Sequence, residues 1–178
     1  IYMVIITIDG NIGSGKSSCI AKLQNKYPGI SVLQENMKNF EPWLKLYYSN
    51  INRYAMGFQM EVLLSHLENK PVLEKVAKSK IIITERSPIS CIRVFGQLLL
   101  DQNILCKEEQ DLCIRYSDTY GWIPNHIFYI RTEPQNCYDR IQVRNRASEN
   151  DLSLYYLQNI HKLYDKLYLE KLTTLKNT

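Results

Sequence analysis

The chain has 178 residues, 45% of them apolar, and a formal net charge of +4. This is enough to bury one core, so we expect a single domain over residues 1–178. The modest charge and the scattered Lys and Arg argue against a nucleic-acid surface. No apolar run approaches the ~18 residues of a membrane span, and the five cysteines form no C-x-x-C pair. We therefore expect a cytoplasmic protein with no membrane anchor, disulfide framework or zinc site.

Apolar, β-rich runs predict strands at residues 4–8, 30–33, 81–84 and 127–130. Helical periodicity predicts helices at about 15–26, 53–68, 88–101, 107–117, 134–145 and 153–172. Strands that alternate with helices predict an α/β fold, in which helices cover both faces of a parallel sheet. Ligands of such sheets bind beyond the carboxyl ends of the strands.

A phosphate-binding motif follows the first predicted strand. It fits the pattern G-x-x-x-x-G-K-[ST] with Gly10, Asn11, Ile12, Gly13, Ser14, Gly15, Lys16 and Ser17. Glycines allow backbone N–H groups to converge on phosphate oxygens, and the helix that follows adds the positive end of its dipole. Lys16 can reach the outer phosphates of a nucleotide, and the Ser17 hydroxyl can bind Mg²⁺. We include Ser18, at the start of the helix, in this nucleotide site.

Acidic residues follow the second and third predicted strands. Glu35 comes after the second strand, and Glu85 comes after the third, directly before Arg86 and Ser87. In P-loop proteins the strand next to the loop commonly ends in an acidic residue that holds Mg²⁺ or its water. Glu85 fits that position.

Four motifs in this order resemble those of the deoxynucleoside kinase family, which includes thymidine and deoxycytidine kinases. In chain order they are the phosphate loop with its Asn-Ile pair, residues 54–59, Glu85-Arg86-Ser87 and the arginine-rich residues 140–149. Residues 54–59 resemble the family segment W-A-[MF]-x-F-Q. The resemblance implies a P-loop kinase fold with four to five parallel strands and a short lid at about 140–152. A fifth strand would have only residues 172–178 available. The short chain resembles a compact viral or microbial member.

The resemblance implies roles for residues around the phosphate loop. Glu35 matches the general base that acts on the nucleoside 5′-hydroxyl, although Asn36 replaces the proline that usually follows it. Lys16 would hold the donor phosphates, while Ser17 and Glu85 would organise Mg²⁺.

The arginines of the predicted lid have a physical reason to share an anion. Arg140 and Arg144 are four residues apart on one helical face, with Arg146 just beyond, and such like charges repel one another. A nucleoside triphosphate would relieve that repulsion, whereas a solvated basic face is the alternative interpretation. We expect Arg140 and Arg144 to bind the donor, and Arg86, Arg144 and Arg146 to neutralise the transferred phosphoryl group.

Other residues match the nucleoside pocket of the family. Gln59 matches a glutamine whose amide offers a donor and an acceptor to the base. Tyr48 and Glu149 match residues that contact the 3′-hydroxyl. Phe40 and Phe95 match aromatic residues beside the base, and a purely structural role in the core is the alternative for both.

Two positions bear on the choice of base. Family members that favour purines or cytosine tend to carry an arginine and an aspartate where this chain has His66 and Cys91. Their absence favours thymidine or a broad pyrimidine preference. The His66 imidazole could still form a hydrogen bond to a base edge.

The sequence therefore predicts ATP-dependent phosphorylation of a deoxynucleoside 5′-hydroxyl in nucleotide salvage, with Mg²⁺. The expected partners are the deoxynucleoside, ATP and a second copy of the chain, which would pack through helices at about 53–68 and 88–117. Thymidylate or another nucleoside monophosphate kinase is the main alternative, but these enzymes typically have Asp-Arg in place of Glu85-Arg86, and Glu35 would repel an acceptor phosphate. A nucleotide-dependent switch protein would need an N-K-x-D signature, which Asn25-Lys26 and Asn69-Lys70 lack.

Overall fold

The computed structural model describes residues 4–35, 37–75, 81–146, 149 and 151–170. Within these residues the strands form one parallel sheet in the order β2-β3-β1-β4. The strands are β1 (Val4–Gly10), β2 (Ser31–Leu33), β3 (Ile81–Glu85) and β4 (His126–Ile130). Because all pairs are parallel, the carboxyl ends of the strands lie along one edge of the sheet.

Helices follow each strand of this sheet. Their bounds are α1 (Lys16–Lys26), α2 (Met37–Ser49), α3 (Ile51–Lys75), α4 (Pro88–Ser90), α5 (Gln97–Asp101), α6 (Lys107–Tyr120), α7 (Pro134–Arg144) and α8 (Leu154–Asp165). A π-helical segment, Cys91–Gly96, joins α4 to α5, and a second, Lys166–Glu170, continues α8. None of the helices in the described segments is long and apolar enough to cross a membrane.

The core lies on both faces of the sheet because neighbouring strand residues point to opposite sides. On one face Ile8 and Ile83 pack against Ile20 of α1. On the other face the cluster contains Ile5, Ile82, Leu73 of α3 and Trp122, which follows α6. The strands are therefore covered on both sides, as their continuous apolar runs predicted.

The predicted elements largely match the structure. All four strands are confirmed, and each predicted boundary lies within two residues of the observed one. The helix predicted at 53–68 is longer, and continues past Pro71 to Lys75. Helix α2 was not predicted. The end of the helix predicted at 153–172 and the possible fifth strand at 172–178 lie outside the described residues.

Candidate active site

The phosphate loop runs from the end of β1 to the start of α1, and all three of its glycines, including Gly15 at φ +101°, have positive φ angles that favour glycine. Gly10 has φ +148° and Gly13 has φ +75°. A Cβ atom on Gly10 would lie 2.6 Å from the carbonyl oxygen of Ile130, and one on Gly13 would lie 2.6 Å from that of Cys137. Glycine is therefore needed at both positions, because the loop backbone lies directly against β4 and α7.

Asn11 holds the loop in place from inside the protein. Its buried side chain donates from Nδ2 to the carbonyl oxygen of Leu157 in α8 at 2.8 Å and accepts the Ile12 N–H at 2.8 Å. The cavity described below is not lined by Gly10, Asn11 or Ser14, although all three residues were expected to bind the phosphate donor. The Asn11 side chain is thus committed to the loop and to α8.

Lys16 begins α1 and is also buried. Its Nζ donates to the carbonyl oxygens of Asn11 at 2.8 Å and Gly10 at 3.2 Å. Burial, together with the nearby charge of Arg86, lowers the pKa of Lys16 to about 8. The ammonium group therefore lies against the loop backbone, and it loses its proton at a lower pH than an ordinary lysine does.

Ser17 and Glu85 connect the start of α1 to the end of β3. The Ser17 hydroxyl donates to the two carboxylate oxygens of Glu85, at 3.1 and 3.2 Å. Mg²⁺ prefers oxygen ligands and is usually bound through one or two carboxylates with phosphates and water. A hydroxyl and a carboxylate beside a phosphate loop fit that pattern, and no cluster of three or more His, Cys, Asp or Glu in the described segments offers another metal site.

Glu35 and Arg86 form an ion pair next to the loop. Nη1 of Arg86 donates to Oε2 of Glu35, and both side chains are only 10% exposed. Burial alone would raise the pKa of Glu35, but the charges of Arg86 and Lys16 hold it below its ordinary value. The Glu35 carboxylate is therefore ionised at neutral pH.

The backbone of Arg86 is strained. Its φ of 59° is left-handed, which is uncommon for a residue other than glycine. The Arg86 N–H donates to the carbonyl oxygen of Ile8 at 3.1 Å, which connects the end of β3 to β1. Its guanidinium lies over the Phe95 ring, with Cζ 5.1 Å from the ring centroid, and Nε has no hydrogen-bond partner among the described residues. These contacts place the arginine head between the loop and Glu35.

One cavity of about 570 Å³ connects the loop to this ion pair and continues into an apolar pocket. The predicted site residues that line it are Ile12, Gly13, Gly15, Lys16, Ser17, Ser18, Glu35, Phe40, Tyr48, Gln59, His66, Glu85, Arg86, Cys91, Phe95, Arg140, Arg144, Arg146 and Glu149. The structure thus brings together residues from every motif that the sequence singled out.

Other lining residues were missed by the sequence analysis. They are Gln34, Leu44, Tyr47, Phe58, Val62, Leu99, Leu152 and Tyr156. Leu44 and Tyr47 belong to α2, the helix that was not predicted. Together with Phe40 they have the i, i+4, i+7 spacing of one helical face, and this signal could have identified them.

The apolar end of the cavity contains three buried groups that could contact a ligand. Gln59 donates from Nε2 to the carbonyl oxygen of Cys91 at 2.7 Å and lies 3.4 Å from its Sγ. Burial raises the pKa of the Cys91 thiol and lowers that of His66, so both groups are uncharged at neutral pH. Nε2 of His66 is buried and has no hydrogen-bond partner among the described residues.

The three arginines of the predicted lid are exposed, and each lies near an acceptor group. Arg144 donates from Nε and Nη2 to Oε2 of Glu149, and Arg146 lies 3.7 Å from the other oxygen of that carboxylate. Arg140 donates to the carbonyl oxygen of Ser14 in the phosphate loop at 3.2 Å. Burial raises the pKa of Tyr48, across the cavity, to about 12. The lid thus brings three cations and one buried carboxylate to the mouth of the cavity.

Comparison with known proteins gives a consistent result. The family model described as "Deoxynucleoside kinase" matches residues 6–177. The kinase protein 029R of Invertebrate iridescent virus 3 is 30% identical over 90% of this chain and 80% of the relative. Deoxycytidine kinase 2 of Gallus gallus is 28% identical over 93% of this chain and 74% of the relative. Human mitochondrial thymidine kinase 2 is 29% identical over 91% of this chain and 63% of the relative.

Proposed function

Because the chain belongs to the deoxynucleoside kinase family and is a kinase, we propose that it transfers the γ-phosphoryl group of ATP to the 5′-hydroxyl of a pyrimidine deoxynucleoside. One observation carries this proposal. A single cavity joins the phosphate loop, the Glu35–Arg86 ion pair and a pocket containing the Gln59 amide. A donor phosphate at the loop and a nucleoside in the pocket would meet at the ion pair.

The donor half of the site consists of the phosphate loop and the residues around it. The loop amides and Lys16 would bind the ATP phosphates, and the lid arginines Arg140 and Arg144 would contact them from the opposite side. Ser17 and Glu85 would hold Mg²⁺, which when bound neutralises charge on the phosphate oxygens.

Glu35 would act as the general base. Its carboxylate is ionised and buried, so it can accept the 5′-hydroxyl proton as the oxygen attacks phosphorus. Arg86 would offset the charge that develops on the transferred group, together with Arg144 and Arg146. Phosphoryl transfer between two bound substrates needs no covalent enzyme intermediate.

The nucleoside half of the site would use polar groups in an otherwise apolar pocket. The Gln59 amide can offer a donor and an acceptor to the base edge. Tyr48 and Glu149 would contact the 3′-hydroxyl. Because His66 and Cys91 are both uncharged, no charged side chain selects a base there, which supports thymidine or a broad pyrimidine preference.

We also propose that the protein acts in the cytoplasm as a homodimer. The helices of the predicted interface expose apolar side chains, among them Leu64 of α3 at 45% and Leu112 of α6 at 39%. A second copy could cover these side chains.

The proposed function is tested by measuring phosphoryl transfer from labelled ATP to thymidine, deoxycytidine, deoxyadenosine and deoxyguanosine. We expect the highest kcat/KM with thymidine or deoxycytidine. A higher kcat/KM with either purine would contradict the proposed base preference, and no transfer to any of the four would contradict the reaction itself.

A further inference from the structure

Asp9 is a buried carboxylate directly below the phosphate loop that the proposed reaction does not use. It is fully buried in β1 and accepts three hydrogen bonds. The donors are the Gly10 N–H at 2.9 Å, the Tyr164 hydroxyl at 2.7 Å and the Tyr168 hydroxyl at 2.8 Å. Burying a carboxylate is costly unless hydrogen bonds and a counter-charge compensate. These three donors satisfy its oxygens but leave its charge.

The counter-charges are the two cations of the site. Asp9 raises the pKa of both Lys16 and Arg86, although burial acts against it in each case. Glu35 is the other buried carboxylate beside these cations, and it pairs directly with Arg86. If Glu35 accepts a proton from the substrate, its charge is lost. Asp9 then remains as a buried anion close to Arg86.

Tyr164 connects Asp9 to Phe95, the ring that lies under the Arg86 guanidinium. Its hydroxyl donates to Oδ1 of Asp9, and its ring meets the Phe95 ring edge-on, with centroids 6.4 Å apart. The same Phe95 ring lies under the Arg86 guanidinium. Burial raises the pKa of Tyr164, while Arg86 acts in the opposite sense through its charge and a side-chain hydrogen bond. The guanidinium therefore lies over Phe95, Phe95 packs against Tyr164, and the Tyr164 hydroxyl is bonded to Asp9.

We propose that Asp9 and Tyr164 are positioning residues that keep Arg86 in place when Glu35 exchanges its ion pair for the substrate hydroxyl. The inference rests on the proposed function for the roles of Glu35 and Arg86. Without the Tyr164 hydroxyl, the restraints that the described residues leave on the guanidinium after that exchange would be Phe95 and the Arg86 backbone. The Arg86 guanidinium would then spend less time beside the transferred phosphoryl group, where negative charge develops.

The test compares Tyr164→Phe with Tyr129→Phe. Tyr129 stacks on Tyr164 with centroids 5.5 Å apart, but its hydroxyl bonds to Asp165 instead. Each substitution thus removes one hydroxyl from the same group of rings. We expect Tyr164→Phe to lower kcat roughly 10-fold to 100-fold, the usual range for a hydrogen bond to a charged group, with little change in the KM of the nucleoside. Tyr129→Phe should leave kcat within about twofold.

The pH profile separates positioning from simple stability. Arg86 and Lys16 are the charges that lower the pKa of Glu35 at neutral pH. A displaced Arg86 lowers it less, so the acidic limb of kcat, which reports the enzyme–substrate complex, should move to higher pH in Tyr164→Phe and stay in place in Tyr129→Phe. Equal effects of the two variants, or a lower Tm with unchanged kcat and pH profile, would overturn the proposal.

Crystal structures of both variants in a Glu35→Gln background, where the ion pair with Arg86 is absent, give a readout that needs no activity. Arg86 should leave its position over Phe95 in Tyr164→Phe and keep it in Tyr129→Phe; an unmoved Arg86 in both would overturn the proposal. If Tyr164→Phe does not fold, Asp9→Asn, which keeps the shape and removes the charge, is expected to show the same displacement. An inactive wild type would contradict the proposed function, and the structures would still decide this inference.

Discussion

Glu35 is the residue on whose charge the proposed reaction depends most. Its carboxylate is nine-tenths buried, and its neighbours lower its pKa even though burial opposes them. We expect Glu35→Gln to reduce kcat about 100-fold, because loss of a general base typically costs that much. The KM of the nucleoside should change little, since the amide keeps the shape of the side chain. Steady-state kinetics with saturating ATP measures both.

Glu41→Gln is the matched control for this substitution. Glu41 lies on the nearby helix α2, where it is exposed and pairs with Lys45 at 3.2 Å. Removing its charge should leave kcat within about twofold, as for most surface changes. Equal kcat values for wild type and Glu35→Gln would remove Glu35 from the mechanism.

Lys16 gives the site a pH dependence near neutrality. Its pKa of about 8 lies below the ordinary value of 10.5, so the folded protein has released this proton at alkaline pH. A bound triphosphate favours the charged ammonium and raises that pKa again. ATP binding at about pH 8.5 should therefore take up a proton, which calorimetry in buffers of different ionisation enthalpy detects.

Lys16→Arg provides the comparison, because a guanidinium stays protonated throughout this range. It should bind ATP without proton uptake at the same pH. Uptake of equal size in both proteins would show that another group accepts the proton. The lowered pKa of Lys16 also affects the free energy of unfolding. Because Lys16 keeps its proton to higher pH in the unfolded chain than in the folded protein, it makes the fold more stable as pH rises from about 8 to 10.5.

Among the secondary structure elements, the phosphate loop is hydrogen-bonded to α8 through the side chain of Asn11. Asn11→Ala removes the hydrogen bonds to Leu157 and Ile12 and leaves the Ile12 N–H without its acceptor. We expect a loss of about 1–3 kcal/mol in the free energy of unfolding, measured by urea denaturation. The KM for ATP should rise as well, because the loop amides lose their fixed position.

An exposed amide is the control for that change. Gln135 on α7 bonds to Asp139 at the surface, so Gln135→Ala should cost less than about 0.5 kcal/mol. If Asn11→Ala costs no more than the control, the side chain does not anchor the loop.

The elements differ in how far the sequence predicts them. Strands were predicted well because a strand buried on both faces has an unbroken run of β-branched residues, as in β1 and β3. Helix α2 was missed because Pro42 lies inside it, and proline is normally read as the end of a helix. The apolar spacing of Phe40, Leu44 and Tyr47 was the stronger signal.

Site residues were predictable where a local motif carried them. The phosphate loop and Glu85-Arg86 stand at strand ends, and the parallel topology brings them together. Asp9 and Tyr164 are 155 residues apart, and no local pattern relates them. The same holds for Asn11 and Leu157, whose contact depends on how α8 packs. These partnerships are tertiary, so only the structure shows them.

For the whole molecule, the carboxyl edge of the sheet brings distant segments into one cavity. Four segments line this cavity. They are the loop after β1, Glu35 after β2, Glu85 and Arg86 at the end of β3, and the predicted lid, which begins within α7. Two buried cations, Lys16 and Arg86, lie beside the two buried carboxylates Asp9 and Glu35. This arrangement places the charges that phosphoryl transfer needs next to an apolar pocket.

The central claim is that the acceptor is a nucleoside hydroxyl and not a nucleotide phosphate. The most direct measurement is incubation with labelled ATP and either thymidine or thymidine monophosphate, with the products identified by phosphorus NMR. The account predicts thymidine 5′-monophosphate from thymidine and no diphosphate from the monophosphate. Diphosphate formed from thymidine monophosphate, with no product from thymidine, would contradict it.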